Sequence, residues 1–174
     1  MYRRALETNE RVLGPDHPNT LLYLCNLAVL LKGAEPMYRQ KKGDLEGAEP
    51  MYRRALETNE RVLGLDHPYT LIYLGNLAVL LKYKGDLKGA ERAYRRALES
   101  RERVLGPDHP DTLTNISNLA LFLDVKKGEY ENAEVLYRQV LERRERVLGK
   151  DHPDTVESKS NLEIFLQEQA EREE

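Results

Sequence analysis

One phrase of ten residues, Arg-Val-Leu-Gly-x-Asp-His-Pro-x-Thr, occurs four times, starting at Arg11, Arg61, Arg103 and Arg146. The steps between copies are 50, 42 and 43 residues. Such a period confines the chain to stacked architectures, because a single short unit cannot bury its own apolar face. The unit is clearest between Tyr69 and Gly106. An apolar run from Thr70 to Leu81 is followed by the break Lys84-Gly85-Asp86 and a second amphipathic run from Leu87 to Leu105. The pattern reads as helix, tight turn, helix.

The copies set the domain organisation. Residues 1–174 form a single all-α repeat domain, an open solenoid of antiparallel helix pairs with about eight helices. Residues 1–14 match the second helix of a unit. Repeat 1 spans 15–64, repeat 2 spans 65–106, repeat 3 spans 107–149, and 150–174 is a lone first helix. Met1–Lys32 and Met51–Lys82 differ at only four positions: Pro15/Leu65, Asn19/Tyr69, Leu22/Ile72 and Cys25/Gly75. That near-identity points to recent duplication or a consensus-like design.

Periodicity assigns faces to the helices. Leu74, Leu77, Ala78 and Leu81 fall at i, i+3, i+4 and i+7, as do Leu24, Leu27, Ala28 and Leu31. The small residue at Ala28, Ala78 and Ala120 lets a neighbouring helix approach. In the second helix Leu87, Ala90, Tyr94, Ala97, Leu98, Val104 and Leu105 form the stripe. First helices begin at Pro18, Pro68, Pro110 and Pro153, where a missing N–H has no consequence. Of the Asp-His pair before each proline, Asp is the expected N-cap. Glu57–Arg61, Glu99–Arg103 and Glu142–Arg146 have the i,i+4 spacing of helix-surface pairs.

The 50-residue step has a visible origin. Residues 33–40 nearly copy Gly47–Arg54, and deleting those eight restores a step of 42. Eight added residues would turn a helix by roughly 80° net of whole turns, misdirecting the next segment. Gly33 and Pro36 also oppose continued helix. The insertion is therefore expected to be a longer, irregular turn that leaves the helix pair intact.

Composition narrows the function classes. A net charge of -3 gives no bulk attraction for DNA or RNA. The longest apolar run, Leu21–Leu31, contains Asn26 and is too short to span a bilayer. Met1 opens directly into a helical pattern with no signal-peptide core. The single Cys25 has no disulfide partner within the chain. The expectation is a cytoplasmic protein that binds neither nucleic acid nor membrane.

Site chemistry is sparse. His17, His67, His109 and His152 each occupy the same junction, without a second ligand at metal spacing. They read as junction residues, so no metal is expected. No local pair resembles a nucleophile with its base, and no Gly-rich phosphate loop is present. Neither a cofactor nor catalytic residues are expected, and the chain is read as non-enzymatic.

Leu74, Leu77-Ala78, Leu81, Gly85, Leu87, Ala90, Tyr94 and Ala97 resemble the tetratricopeptide signature. The unit of about 42 residues, with Asn-Leu-Ala in the first helix and Leu-Gly-x-Asp-His-Pro at the junction, is similar to the repeats of kinesin light chains and related microbial proteins. The resemblance covers essentially the whole chain. It departs at the insertion, at an extra residue near Val125-Lys126-Lys127, and at Glu163, which replaces the small packing residue. It implies a right-handed superhelix whose first helices line a concave groove that holds an extended peptide. It also implies that the Asn-Leu-Ala asparagines, here Asn26, Asn76, Asn118 and Asn161, bond the ligand backbone. Leu22, Asn26 and Val29, and likewise Ile72, Asn76 and Val79, form a stripe off the core face. An amide both donates and accepts, which suits a peptide backbone. Lys82, Tyr83 and Leu121 complete the candidate groove set. The alternative is that each Asn bonds within the repeat stack.

Two functions remain in view. One is a protein-interaction scaffold that binds a peptide or partner segment in the groove. The other is a structural module, natural fragment or designed chain, that self-associates through open ends.

Overall fold

The computed structural model describes residues 11, 12, 14, 42–126 and 128–173. Among these lie six helices: α1 Lys42–Leu63, α2 Pro68–Lys84, α3 Leu87–Leu105, α4 Pro110–Val125, α5 Tyr130–Leu148 and α6 Pro153–Glu173. The sequence reading expects about eight. Of its first two helices, the one at 1–13 is described only at Arg11 and Val12, which are helical, and the one from Pro18 lies outside the described residues, as does the insertion at 33–40. The three described first helices begin at the junction prolines, as expected.

The chain divides into two compact units, Met1–Ala93 and Tyr94–Glu174, with the boundary inside α3. In the first, α1 packs on α2; in the second, α5 packs on both α4 and α6. The expected core face of α2 is buried: Leu74, Leu77, Ala78 and Leu81 all lie inside, and Leu71, outside that expectation, lies inside with them. The chain's two phenylalanines each meet a second-helix tyrosine, Tyr94–Phe122 at 5.4 Å and Tyr137–Phe165 at 5.2 Å between ring centroids. Both pairs are tilted, the arrangement that aromatic quadrupoles favour.

The junction phrase is a chain of local devices. Gly64, Gly106 and Gly149 take positive φ, where a side chain would be strained, and each ends the preceding helix. Proline then fixes N1, and its neighbour is held extended. That neighbour is His, not Asp, which corrects the expected cap. Nδ1 of His67, His109 and His152 accepts from the backbone N–H of Tyr69, Asp111 and Asp154 at 3.2–3.3 Å. Asp stands one residue too early for this bond. It is free for other work: Asp108 takes both short contacts of Arg146 at 2.8 Å. Arg146 therefore turns to Asp108 rather than to Glu142. The last letter of the phrase also has a cause. Thr70 Oγ1 donates to the Gly64 carbonyl at 2.8 Å and Thr112 Oγ1 to that of Gly106 at 2.9 Å.

The turn inside each pair differs between the units. After α2, Gly85 in the left-handed region and Asp86 donate back to Lys82 and Leu81, which closes the helix end. After α4 the extra residue leaves Lys126 extended instead, donating to Leu123. The second-helix stripe also ends sooner than expected. Val104 is 51% exposed, as are Val62 and Val147 to similar degrees. One turn earlier the inward position passes to a polar residue: Asn59, Arg101 or Arg144.

Candidate functional site

The face of α2 opposite its core carries Tyr69, Ile72, Asn76, Val79 and Tyr83 at steps of three and four residues. That spacing makes one stripe along a helix. Tyr69, Ile72 and Tyr83 are exposed, while Asn76, Val79 and Lys82 are half-buried. Lys82 Nζ lies 6.0 Å from the centre of the Tyr83 ring. Between Ile72 and Asn76 sits Gly75, where an added Cβ would meet nothing within 4 Å. The stripe therefore carries no side chain at the position just before its one amide. No charged residue occurs from Pro68 to Leu81, in a chain that is 33% charged.

The second unit carries the same register with different chemistry. Asn118 and Leu121 are exposed on α4, flanked by Thr114 and Val125. Asn161 is half-buried on α6, flanked by exposed Glu157 and Ile164. Thus the structure brings Ile72, Asn76, Val79, Lys82 and Tyr83 together on α2, and Asn118 with Leu121 on α4. Leu22, Asn26 and Val29 lie outside the described residues. Among the described residues, the amides of Asn76, Asn118 and Asn161 hydrogen-bond no protein group.

Tyr69 belongs to the α2 stripe but is absent from the sequence-derived set. Two signals point to it: its spacing from Ile72, and its place among the four differences between otherwise identical copies. A second group missed by sequence reasoning is a set of buried polar side chains behind the first helices. Asn115 donates to the Tyr94 carbonyl at 3.2 Å and accepts from Arg101 at 2.9 Å. Burial pulls the Arg101 guanidinium below its ordinary value, and the charge of Asp111 opposes that shift. Arg144, 4% exposed, donates to Ser158 Oγ at 2.7 Å, to the Asp154 carbonyl at 2.9 Å and to Thr114 Oγ1 at 3.5 Å. One guanidinium from α5 thereby holds both α4 and α6. Desolvation, with Asp124 and Glu168 nearby, raises the Tyr137 phenol above its ordinary value.

Among the described residues no three His, Cys, Asp or Glu side chains gather to hold a metal ion. The described junction histidines already spend Nδ1 on capping. No described helix is long and apolar enough to cross a membrane.

Comparison with known proteins agrees with this architecture. A tetratricopeptide repeat model matches residues 37–103, and a second model of the same description matches 1–19 and 112–154. No curated protein matches the sequence significantly. Among solved structures, the chain resembles a single-residue variant of a Podosopora anserina protein, described as a kinesin light chain with nearly identical TPR-like repeats. The TM-score is 0.81 at 20% identity, covering 99% of this chain and 77% of the other. The parent form of that protein gives 0.78 at the same identity and coverage. BtubC (BKLC) from P. vanneervenii gives 0.70 at 24% identity, covering 97% of this chain and 64% of the other. At these identities the likeness speaks for the fold, that of kinesin-light-chain-like repeat proteins. With the two models together matching well over half of its residues, the chain belongs to the tetratricopeptide repeat family.

Proposed function

We propose that the chain is a non-enzymatic scaffold that holds an extended peptide segment of a protein partner. The segment lies against the outward stripes of the first helices, in the groove that such helices line in tetratricopeptide arrays. Repeats of this family are protein-interaction modules, which supports the general class. The observation that carries the finer reading is the α2 stripe. Four apolar or aromatic positions surround an amide that has no protein partner among the described residues.

The chemistry suits a peptide. An amide unbonded within the fold can accept a ligand N–H and donate to a ligand carbonyl. Exposed Tyr69, Ile72 and Tyr83 offer apolar area, and fully burying a side chain of that size is worth ~1.5–3 kcal/mol. Aromatic anchors supply such area at small entropic cost. Asn118 with Leu121, and Asn161 with Ile164, offer the same amide-plus-apolar pairing in the second unit.

The test is a peptide-library selection on the immobilised chain, followed by titration of the best ligand. Asn76→Ala combined with Asn118→Ala removes binding while circular dichroism shows unchanged helicity. Binding retained by the double variant overturns the stripe assignment.

A further inference from the structure

The outward stripes of α4 and α6 lie side by side. Arg144 donates to Thr114, which stands on the α4 stripe, and to Ser158, which follows Glu157 of the α6 stripe. At the other end Arg172 of α6 comes to 4.0 Å from Asp124 of α4. The two helices are therefore joined near both ends, with equivalent positions level. Each stripe divides at its amide. Ahead of Asn118 and Asn161 the outward positions are Asp111 and Thr114 on α4, and Asp154 and Glu157 on α6. Asp111 and Glu157 are exposed, Asp154 is half-buried, and none of the three carboxylates forms an ion pair among the described residues. Beyond the amides come Leu121, Val125 and Ile164, which are 39%, 59% and 53% exposed. Glu168, the next outward position of α6, is already paired with Arg172 at 3.2 Å. An acidic row, a row of amides and an apolar row thus cross the same two helices.

The fold does not require the acidic row. α2 opens with the same junction phrase and carries Tyr69 and Ile72 where α4 carries Asp111 and Thr114, and α6 carries Asp154 and Glu157. Aspartate in a first turn complements the helix dipole. Yet α2 forms with no acidic residue in that turn, and in α6 Glu157 lies beyond it. Arg101 and Arg144 approach from behind the helices and bond Asn115 and neutral oxygens there. The outward carboxylates therefore keep their charge for whatever lies across the stripes.

We propose that the α4 and α6 stripes recognise an extended partner segment in which basic and apolar residues alternate. This rests on the peptide reading above and names the chemistry of the partner. Successive side chains of an extended strand point to opposite sides. A strand laid across α4 and α6, with its backbone at the amides of Asn118 and Asn161, turns one set of side chains toward the carboxylates. The other set meets Leu121, Val125 and Ile164. Lysine or arginine neutralises the first row, and apolar side chains cover the second. An acidic segment would set like charges against each other, which suppresses a wrong partner.

The test is fluorescence anisotropy on the intact chain with three labelled peptides of equal length: alternating Lys-Leu, alternating Glu-Leu, and a block of lysines followed by a block of leucines. The Lys-Leu peptide should bind about tenfold more tightly than the Glu-Leu peptide, since exposed opposite-charge pairs each contribute modestly and like charges subtract as much. It should also bind more tightly than the block peptide of the same composition. Asp111→Asn with Glu157→Gln should remove most of the preference for Lys-Leu while helicity is kept. Equal binding of the Lys-Leu and Glu-Leu peptides overturns the proposal, as does a preference that the neutral variant keeps. A block peptide that binds as tightly as the alternating one overturns the alternation, and no saturable binding by any of the three overturns the proposal outright. Failure of the underlying groove reading looks different: Asn118→Ala with Asn161→Ala would then leave Lys-Leu binding unchanged. A wrong charge assignment alone leaves binding sensitive to those amides and indifferent to the sign of the peptide.

Discussion

Arg144 on α5 donates to Ser158 on α6 at 2.7 Å, and the same guanidinium reaches Thr114 on α4. A side chain from behind thus ties two first helices of the second unit, although it meets no carboxylate within salt-bridge distance among the described residues. The helix N-terminus of α6, where Asp154 and Ser158 lie, does not favour a cation. The arginine is held by hydrogen bonds to neutral oxygens and by packing. Arg144→Ala should therefore destabilise the second unit by about 2–4 kcal/mol, since it empties a buried site and strips three acceptors. Arg144→Met should recover most of that, because apolar replacement of a buried ion is often neutral. Urea unfolding of the three chains decides it; equal losses for Ala and Met would show that the hydrogen bonds outweigh the packing.

Thr112 and Thr155 occupy the same position of the junction phrase, yet only Thr112 is satisfied. Its hydroxyl donates to the Gly106 carbonyl at 2.9 Å, whereas buried Thr155 Oγ1 finds no partner among the described residues. A valine fills nearly the same space. Thr112→Val should cost about 1 kcal/mol, the net worth of one hydrogen bond. Thr155→Val should be neutral or stabilising, since it relieves a buried polar group of a bond it does not make. Thermal unfolding of the two single variants, measured side by side, checks the contrast.

How much of this is legible in the sequence depends on whether the repeat repeats it. Leu74, Leu77, Ala78 and Leu81 announce their face because a 3.6-residue helix admits no other. The prolines mark the helix starts for an equally local reason. The latch behind the first helices is another matter. Its partners change identity from junction to junction: Arg101 with Asn115 in one, Arg144 with Ser158 in the next. At the corresponding place in α1, Asn59 donates to the Ala55 carbonyl of its own helix at 2.7 Å. No periodic pattern survives such change, so only the packed helices disclose it. The α2 stripe is half legible. Ile72, Asn76 and Val79 follow from the register, but Tyr69 sits in the first helical turn, beside the cap, ahead of the Asn-Leu-Ala motif that marks the stripe. Sequence spacing pairs Arg146 with Glu142 because both lie on α5, while its actual partner Asp108 belongs to another junction.

The pair α1–α2 carries its own pH dependence. Glu49 on α1 pairs with Lys84 on α2 and accepts from Arg53 at 2.9 Å. The bond from Lys84, first, and that from Arg53 hold its carboxyl below the ordinary carboxylate value, partly opposed by burial. A carboxylate whose folded value is depressed stabilises fully above its unfolded value, and that contribution is lost as pH falls through the folded one. The first unit should therefore loosen on acidification through the carboxylate range. Glu49→Gln should flatten this part of the profile. Hydrogen exchange of α2 amides against pH reads it, and a Gln variant with an unchanged slope would assign the dependence to other groups.

The capping histidines give the last prediction. His109 Nδ1 accepts from the Asp111 N–H at 3.2 Å, and the backbone of His109 is extended, as a residue before proline requires. The bond satisfies one donor that the first turn of α4 leaves unpaired. Removing a polar N-cap costs about 1 kcal/mol in a typical helix, and a shorter acceptor at the same position restores it. His109→Ala should lower stability by about that amount, and His109→Asn should return it to the wild-type level or above. The order wild type or Asn above Ala, read from urea midpoints at constant slope, is the expected result. If Asn falls with Ala, the imidazole contributes through its packing in the junction rather than through Nδ1. The neighbouring residue provides the control. Asp108 stands outside the cap and holds Arg146 at the surface. Exposed pairs are worth little, so Asp108→Ala should cost well under 1 kcal/mol even though aspartate is intrinsically the better cap.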